Sequence, residues 1–139
     1  EGVVVEEVLL DTDALIELHK ERERVRRAHL IYDMHISVIN LYEYLFGLVY
    51  VGRDLEREKA TLESLYEVIP LDQRVLRRAL ILDVELTGLG HRLEFRDLIV
   101  GASALERGLS LVTGNIKHFK RLEDEGLSLL HLRDFLEGL

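Results

Sequence analysis

The sequence has no cysteine, no tryptophan and one proline, Pro70, among its 139 residues. Without cysteine the chain has no disulfide, no thiolate nucleophile and no cysteine-ligated zinc site. Histidine, aspartate and glutamate are the side chains left to bind a metal ion. No glycine- or serine-rich stretch resembles a linker, and we therefore expect residues 1–139 to form a single domain.

Long apolar runs are also missing from the sequence. No stretch of 18 apolar residues is free of charge, and no basic segment followed by an apolar one opens the chain. Such stretches are typical of membrane spans and secretion signals. We therefore expect a soluble, cytoplasmic protein that is not embedded in a membrane.

Basic residues are outnumbered: 18 Lys and Arg stand against 26 Asp and Glu, a net charge of -8. This balance argues against a protein that coats nucleic acid by bulk electrostatics. It does not exclude a nuclease, because clustered carboxylates hold divalent cations that can contact a phosphate.

Predicted strands and helices alternate along the chain. The β-branched apolar run 3–10 predicts a buried strand, and the cap-forming residues that follow it predict the start of a helix. Further strands are predicted at 35–38, 68–71, 109–113 and 127–130, with helices at 22–32, 39–51, 54–66, 72–86 and 96–107 and a helical turn at 116–121. This order predicts a three-layer α/β/α sandwich around a mostly parallel central sheet.

Three acids stand in or beside apolar stretches. Asp11 follows the first predicted strand, Glu43 is the one charge in residues 36–52, and Asp97 opens an apolar helix. Each has a structural explanation: Asp11 and Asp97 as helix caps, and Glu43 as the partner of an arginine from another helix. If the three converge at the carboxyl edge of the sheet, they predict a site for Mg²⁺ or Mn²⁺.

Polar residues follow the strand predicted at 109–113. Thr113 and Asn115 can form hydrogen bonds with carboxylates or water, and Lys117 and His118 could face a phosphate. The alternative is that Asn115 only caps a short helix.

Four segments in order resemble the motifs of PIN-domain ribonucleases, most closely those of VapC-like toxins from toxin–antitoxin pairs. They are V-L-L-D-T-D-A-L-I, I-S-V-I-N-L-Y-E-Y-L-F-G, F-R-D-L-I-V-G-A-S-A-L-E-R-G and L-V-T-G-N-I-K-H-F. The resemblance implies a PIN-like fold, with Asp11, Glu43 and Asp97 as metal-binding acids and Thr113 and Asn115 as the polar motif of the fourth strand.

The resemblance also implies an activity and partners. We expect a metal-dependent endoribonuclease that leaves a 5'-phosphate and a 3'-hydroxyl, forms a homodimer and is inhibited by a small antitoxin. Independently of the resemblance, the positions of the basic side chains lead us to expect phosphate contacts at Lys117, His118, Arg26 and Arg27.

Many family members carry a further Asp at the position of Asn115 or of His118, and this chain has neither. Three carboxylates neutralise one divalent ion but leave two ions with net positive charge. We therefore expect one ion to bind firmly and a second only weakly.

Two alternatives stay open at the level of sequence. The segment Asp11-Thr12-Asp13 resembles the nucleophile and acid of haloacid-dehalogenase-type phosphatases, although Ala14-Leu15 stand where that family has Gly and Thr. The incomplete fourth acid motif also fits a catalytically inactive PIN-like module that acts by binding protein.

Overall fold

Five parallel strands form the central sheet of the computed structural model, which describes residues 5–139. The strands are β1 (Glu6–Leu10), β2 (Tyr32–Ser37), β3 (Glu67–Ile69), β4 (Ser110–Thr113) and β5 (Leu129–His131), in the order β3-β2-β1-β4-β5. All four pairings between these strands are parallel. Residues 3 and 4 of the first predicted strand lie outside the described part of the chain.

The described chain also forms short and medium-length helices. They are α1 (Thr12–Leu18), α2 (Arg22–Ile31), α3 (Val38–Tyr50), α4 (Leu55–Leu65), α5 (Gln73–Gly88), α6 (Phe95–Arg107), α7 (Ile116–Phe119), α8 (Leu132–Glu137) and a 3-10 helix at Lys120–Glu125. Side chains of Asp54 and Asp72 accept hydrogen bonds from the first turns of α4 and α5, and so fix where these helices begin. None of the helices in residues 5–139 is long and apolar enough to cross a membrane.

Two apolar cores separate the sheet from its helical layers. Leu9 and Leu111 pack on one face against α5 and α6. Val8 and Leu10 point to the other face, where the core includes buried residues of α1, α3 and α8. This alternation places helices on both faces of the sheet, and the predicted three-layer sandwich is confirmed.

Three polar residues end or follow neighbouring strands at one edge of the sheet. Asp11 follows β1, Ser37 ends β2 and Thr113 ends β4. The chain leaves β1 towards β2 on one side and reaches β4 on the other, so that the strand order reverses at β1. Ligand sites of parallel sheets lie at such a reversal, beyond the carboxyl ends of the strands.

The apolar side chains of helix α3 divide between a buried side and an exposed side. Leu41 and Leu45 are buried, but Tyr42, Phe46 and Tyr50 are 69%, 60% and 81% exposed. The last three residues stand four apart, and they therefore share one face of the helix. No element of the described chain covers that face.

Candidate active site

Asp11 is the most deeply buried acid of the site, with 1% of its surface exposed. Its Oδ1 accepts hydrogen bonds from the backbone N–H of Thr12 at 2.9 Å and from Asn40 Nδ2 at 3.3 Å. Its Oδ2 accepts one from Thr113 Oγ1 at 2.8 Å. Asp11 therefore caps α1, as its structural explanation predicts, and also has its carboxylate held in place from β4 and α3.

A capping box at the start of α3 fixes Asn40. Asn40 Oδ1 accepts from the backbone N–H of Ser37 at 2.9 Å, and the backbone N–H of Asn40 donates to Ser37 Oγ at 3.1 Å. The Nδ2 group of Asn40 is not used in the cap. It donates to Thr12 Oγ1 at 3.0 Å as well as to Asp11 Oδ1. The helix cap thus turns a structural side chain towards the acids.

Glu43 reaches the same place from the middle of α3. Its Oε1 accepts a short hydrogen bond of 2.5 Å from Thr12 Oγ1. Arg96 donates to it twice, from Nε to Oε2 at 2.9 Å and from Nη2 to Oε1 at 2.8 Å. Partial burial raises the pKa of Glu43, but the hydrogen bonds from Arg96 and Thr12 outweigh it and bring the pKa below its ordinary value.

The guanidinium of Arg96 joins all three predicted acids. Besides Glu43 it contacts Asp11 Oδ1 from Nη2 at 2.6 Å and Asp97 Oδ1 from Nη1 at 2.8 Å. Burial lowers the pKa of Arg96, but its hydrogen bonds to Glu43 and Asp11 raise the pKa above its ordinary value. Glu43 thus has the arginine partner that its structural explanation required, and the same arginine neutralises part of the charge of Asp11 and Asp97.

A fourth acid, Asp13, lies at the edge of this cluster. Its Oδ2 accepts a hydrogen bond from the backbone N–H of Gly114 at 2.9 Å, whereas its Oδ1 is buried and has no partner among residues 5–139. A Cβ at position 114 would lie 2.8 Å from that Oδ2, and glycine is what permits the approach. Burial and the charge of Asp11 raise the pKa of Asp13.

Two contacts hold the polar segment after β4 beside the acid cluster. Thr113 Oγ1 accepts from the backbone N–H of Asn115 at 3.0 Å, which holds the turn against Asp11. His118 Nδ1 lies 3.2 Å from Asp97 Oδ2.

Asn115 stands at the start of α7, but its side chain forms no capping hydrogen bond. The side chain of Asn115 is exposed, and a contact of that side chain with the acids is not observed within the described residues.

A cleft of about 400 Å³ opens beside Asp97. Its lining includes five basic or imidazole side chains: His91, Arg92, Lys117, His118 and Arg121. Two of the predicted phosphate contacts, Lys117 and His118, therefore flank the acid cluster.

The other two predicted phosphate contacts stand elsewhere. Arg26 is on the exposed side of α2, where it pairs with Glu23 at 3.1 Å and lines a groove between α2, α3 and α4. Arg27 is exposed on the same helix. Among the described residues no hydrogen bond or ion pair joins either arginine to the acid cluster, and their contact with RNA stays a prediction.

The donor atoms suit a hard divalent ion, because Asp11, Glu43 and Asp97 offer oxygens only. The cationic guanidinium among them shows that the cluster attracts positive charge. In residues 5–139, however, these three acids do not form a set whose ligand atoms all lie within 4.8 Å of one another. The oxygens of the three acids therefore match such an ion in their chemistry, and in this structure the guanidinium of Arg96 contacts all three of them.

Sequence reasoning missed Arg96, Thr12 and Asn40. Arg96 had a weak signal, since it precedes Asp97 at the start of an otherwise apolar helix. Thr12 and Asn40 had none beyond their ordinary preference for caps. Their roles depend on how α1, α3 and α6 meet.

The sequence profile of the PIN domain matches residues 8–125 of the chain. A VapC ribonuclease of Pyrococcus furiosus is 23% identical over 133 residues, which cover 94% of this chain and 89% of the relative. The crystal structure of DNA-bound VapBC from Salmonella typhimurium superposes with a TM-score of 0.73 at 27% identity, covering 93% of this chain and 99% of that one. A toxin–antitoxin complex from Klebsiella pneumoniae superposes with a TM-score of 0.63 at 27% identity, covering 81% and 89%.

Proposed function

The chain belongs to the PIN domain family, and from this premise we propose that it is a metal-dependent endoribonuclease and the toxin of a toxin–antitoxin pair. One observation carries the proposal: Asp11, Glu43 and Asp97, far apart in sequence, meet around one cationic group at the carboxyl edge of the sheet. The similar VapC ribonuclease supports RNA as the substrate. The phosphatase alternative loses its support, because the family that matches is a different one.

Asp11, Glu43 and Asp97 are the residues that would hold the ion, and their oxygens favour Mg²⁺ or Mn²⁺. When bound, such an ion lowers the pKa of a water molecule and stabilises negative charge on a phosphodiester. Thr113 and Asn40 keep the Asp11 carboxylate in a fixed orientation through their hydrogen bonds. Such fixed orientation reduces the reorganisation that catalysis requires.

Arg96 has a role of its own in this proposal. It neutralises the acids while no ion is present, and it stands at the mouth of the site, with 29% of its side chain exposed. When it gives up its contacts with the acids, its charge becomes available to a phosphate group of the substrate.

The basic cleft beside Asp97 would receive the RNA backbone. Lys117 and Arg121 offer charges to phosphates in a chain whose net charge is -8. His118 connects this cleft to the acid cluster through its contact with Asp97.

For the antitoxin we propose the groove between α2, α3 and α4. This groove has a volume of about 660 Å³ and combines apolar side chains, such as Val25 and Leu65, with basic ones, such as Arg22 and Arg53. An apolar segment with acidic residues, inserted as a helix or strand, matches such a lining. The similarity to the Klebsiella toxin–antitoxin complex supports an antitoxin as the partner.

For the homodimer we propose the exposed apolar stripes of α3 and α5. On α5, Leu76, Leu80 and Val84 are 53%, 62% and 67% exposed and stand four residues apart. Contiguous apolar surface of this kind marks an interaction site.

The test of the activity is incubation with a circular RNA, which has no ends for an exonuclease to attack. We expect linear products in Mn²⁺ or Mg²⁺, no cleavage after chelation, and 5'-phosphate ends. Cleavage that is unaffected by chelation would contradict metal dependence. An inactive binding module would give no product and no metal binding in calorimetry.

A further inference from the structure

Three potential metal ligands meet at the amino ends of β1 and β2, at the opposite end of the sheet from the acid cluster. In the parallel pairing of these strands Glu7 lies opposite Asp33, and Leu9 lies opposite His35. Because alternate residues of a strand share one face, Glu7, Asp33 and His35 lie on the same face of the sheet. This is the face that Leu9 packs against α5 and α6.

The separations match those between ligands of one ion. His35 Nε2 lies 3.9 Å from Glu7 Oε1 and 3.6 Å from Asp33 Oδ2. One ligand atom from each of the three residues lies within 4.8 Å of the other two. These distances are too long for hydrogen bonds, whereas ligands bound at about 2.0–2.2 Å from one ion lie roughly 3–4 Å apart.

His35 gives a second and independent indication. Its exposure is 7%, and neither ring nitrogen has a hydrogen-bond partner within residues 5–139. Buried polar atoms nearly always have a partner, and each exception needs an explanation. Nε2 is the nitrogen that faces both carboxylates, and an ion placed between the three residues would satisfy it.

We propose that Glu7, Asp33 and His35 form a second cation site that takes a borderline transition-metal ion, with Zn²⁺ as its representative. The imidazole nitrogen selects such an ion over Mg²⁺, which prefers oxygen. The two carboxylates balance its charge. With Nε2 bound, Nδ1 carries the ring proton.

The remaining coordination positions are open to water, because the side chains of Glu7 and Asp33 are 59% and 58% exposed. Both carboxylates can therefore adjust to the ion without moving the strands. Glu67, opposite His35 on β3, adds negative charge on the same side. An ion here would link β1 to β2 and stabilise the folded chain by binding.

The experiment is calorimetric titration of ZnCl₂ into the full chain carrying Asp11→Asn, which weakens the acid cluster as a competing site. In the Asp11→Asn chain we expect one Zn²⁺ ion to bind, and we expect MgCl₂ not to displace it. The carboxylate variant adds Glu7→Gln and Asp33→Asn to the Asp11→Asn chain, and its Zn²⁺ affinity should be at least ~100-fold lower. The matched control, Glu6→Gln with Glu123→Gln, removes two exposed acids and should leave the affinity unchanged.

A second readout identifies the nitrogen ligand. Co²⁺ in place of Zn²⁺ should give a visible absorption spectrum that His35→Gln changes. If that buried variant does not fold, the carboxylate variant with Glu7→Gln and Asp33→Asn still tests the site, because both of its substitutions are at exposed positions. Equal Zn²⁺ affinity in the carboxylate variant and its control would overturn the proposal, as would the absence of bound Zn²⁺ in the Asp11→Asn chain. Because no RNA is used, the outcome is independent of the proposed ribonuclease activity.

Discussion

At the scale of single residues, Arg96 controls the charge of the site. It contacts Asp11, Glu43 and Asp97 with one guanidinium. Arg96→Gln leaves three neighbouring carboxylates without this positive charge, and we expect the free energy of unfolding without metal to fall by about 2 kcal/mol. The same change removes the cation that competes for the acids, so Mn²⁺ affinity should rise.

Chemical denaturation and calorimetry with MnCl₂ check both effects in Arg96→Gln. The matched control is Arg78→Gln, which removes an equal charge from a partly exposed arginine that pairs with Glu106 near the other end of α6. Weaker Mn²⁺ binding in Arg96→Gln than in the control would show that the arginine supports the ion rather than competing with it.

The ionisation of Asp13 should make the stability of the folded protein depend on pH. Burial and the charge of Asp11 raise its pKa above 3.8, so the ionised carboxylate destabilises the folded state at neutral pH. Stability is favoured while Asp13 is protonated and is lost as pH rises through the folded pKa. Asp13→Asn should therefore stabilise the protein at pH 7, and the gain should disappear below pH 3.8.

Thermal unfolding of wild type and Asp13→Asn across that range is the measurement. The Asn side chain retains an oxygen to accept the hydrogen bond from Gly114, and its neutral amide has the size of the protonated carboxyl group of Asp13. A gain that persists unchanged at low pH would mean that packing, not ionisation, separates the two proteins.

The convergence of the three acids could be predicted from the sequence because charge is conspicuous in apolar surroundings. Glu43 stands alone in residues 36–52, and Asp11 directly follows a strand. Arg96 could not be assigned in the same way, since an arginine in the first turn of a helix is ordinary. Its contact with Glu43 joins residues 53 positions apart and depends on the packing of α3 against α6.

At the scale of elements, the sequence predicted most strands and helices but not every boundary. Cap residues such as Asp54 and Asp72 fixed the starts of α4 and α5. Helix α8 was missed because its six residues carry too short a pattern, and its stability comes from the buried Phe135. The exposed face of α3 could not be predicted either, since an apolar pattern does not tell a core from an interface.

The exposed apolar stripe of α5 is the part of the proposed homodimer interface that a single substitution can test. If the α5 stripe forms the proposed homodimer interface, Leu80→Asp should give a monomer in sedimentation equilibrium, because the charge would have to be buried in that interface. Its thermal stability as a monomer should change little, since Leu80 is 62% exposed. Val5→Asp, at a position 39% exposed outside both stripes, is the control. A dimer that survives Leu80→Asp intact would exclude the α5 stripe.

At the scale of the whole molecule, an acidic chain has to hold an anionic substrate through local charge. Lys117→Gln and Arg121→Gln should weaken RNA binding and each lower the slope of log affinity against log salt by about 1. Neither change should alter Mn²⁺ affinity. The RNA affinity of Arg26→Gln is measured in parallel. An equal loss of affinity would extend the RNA-binding surface to α2. An unchanged affinity would agree with the proposal that the groove between α2, α3 and α4 binds the antitoxin instead.

The role of the three acids is tested by the rate at which circular RNA is cleaved in Mn²⁺ by wild type and by Asp11→Asn, Glu43→Gln and Asp97→Asn. Each substitution keeps the size of the side chain and removes a charge, and circular dichroism confirms that each variant is folded. We predict that wild type cleaves and that each variant is slower by at least about 10³-fold, because each would lack one of the proposed ligands of the catalytic ion. A variant that cleaves at the wild-type rate would contradict the assignment of that acid, and three such variants would contradict the site.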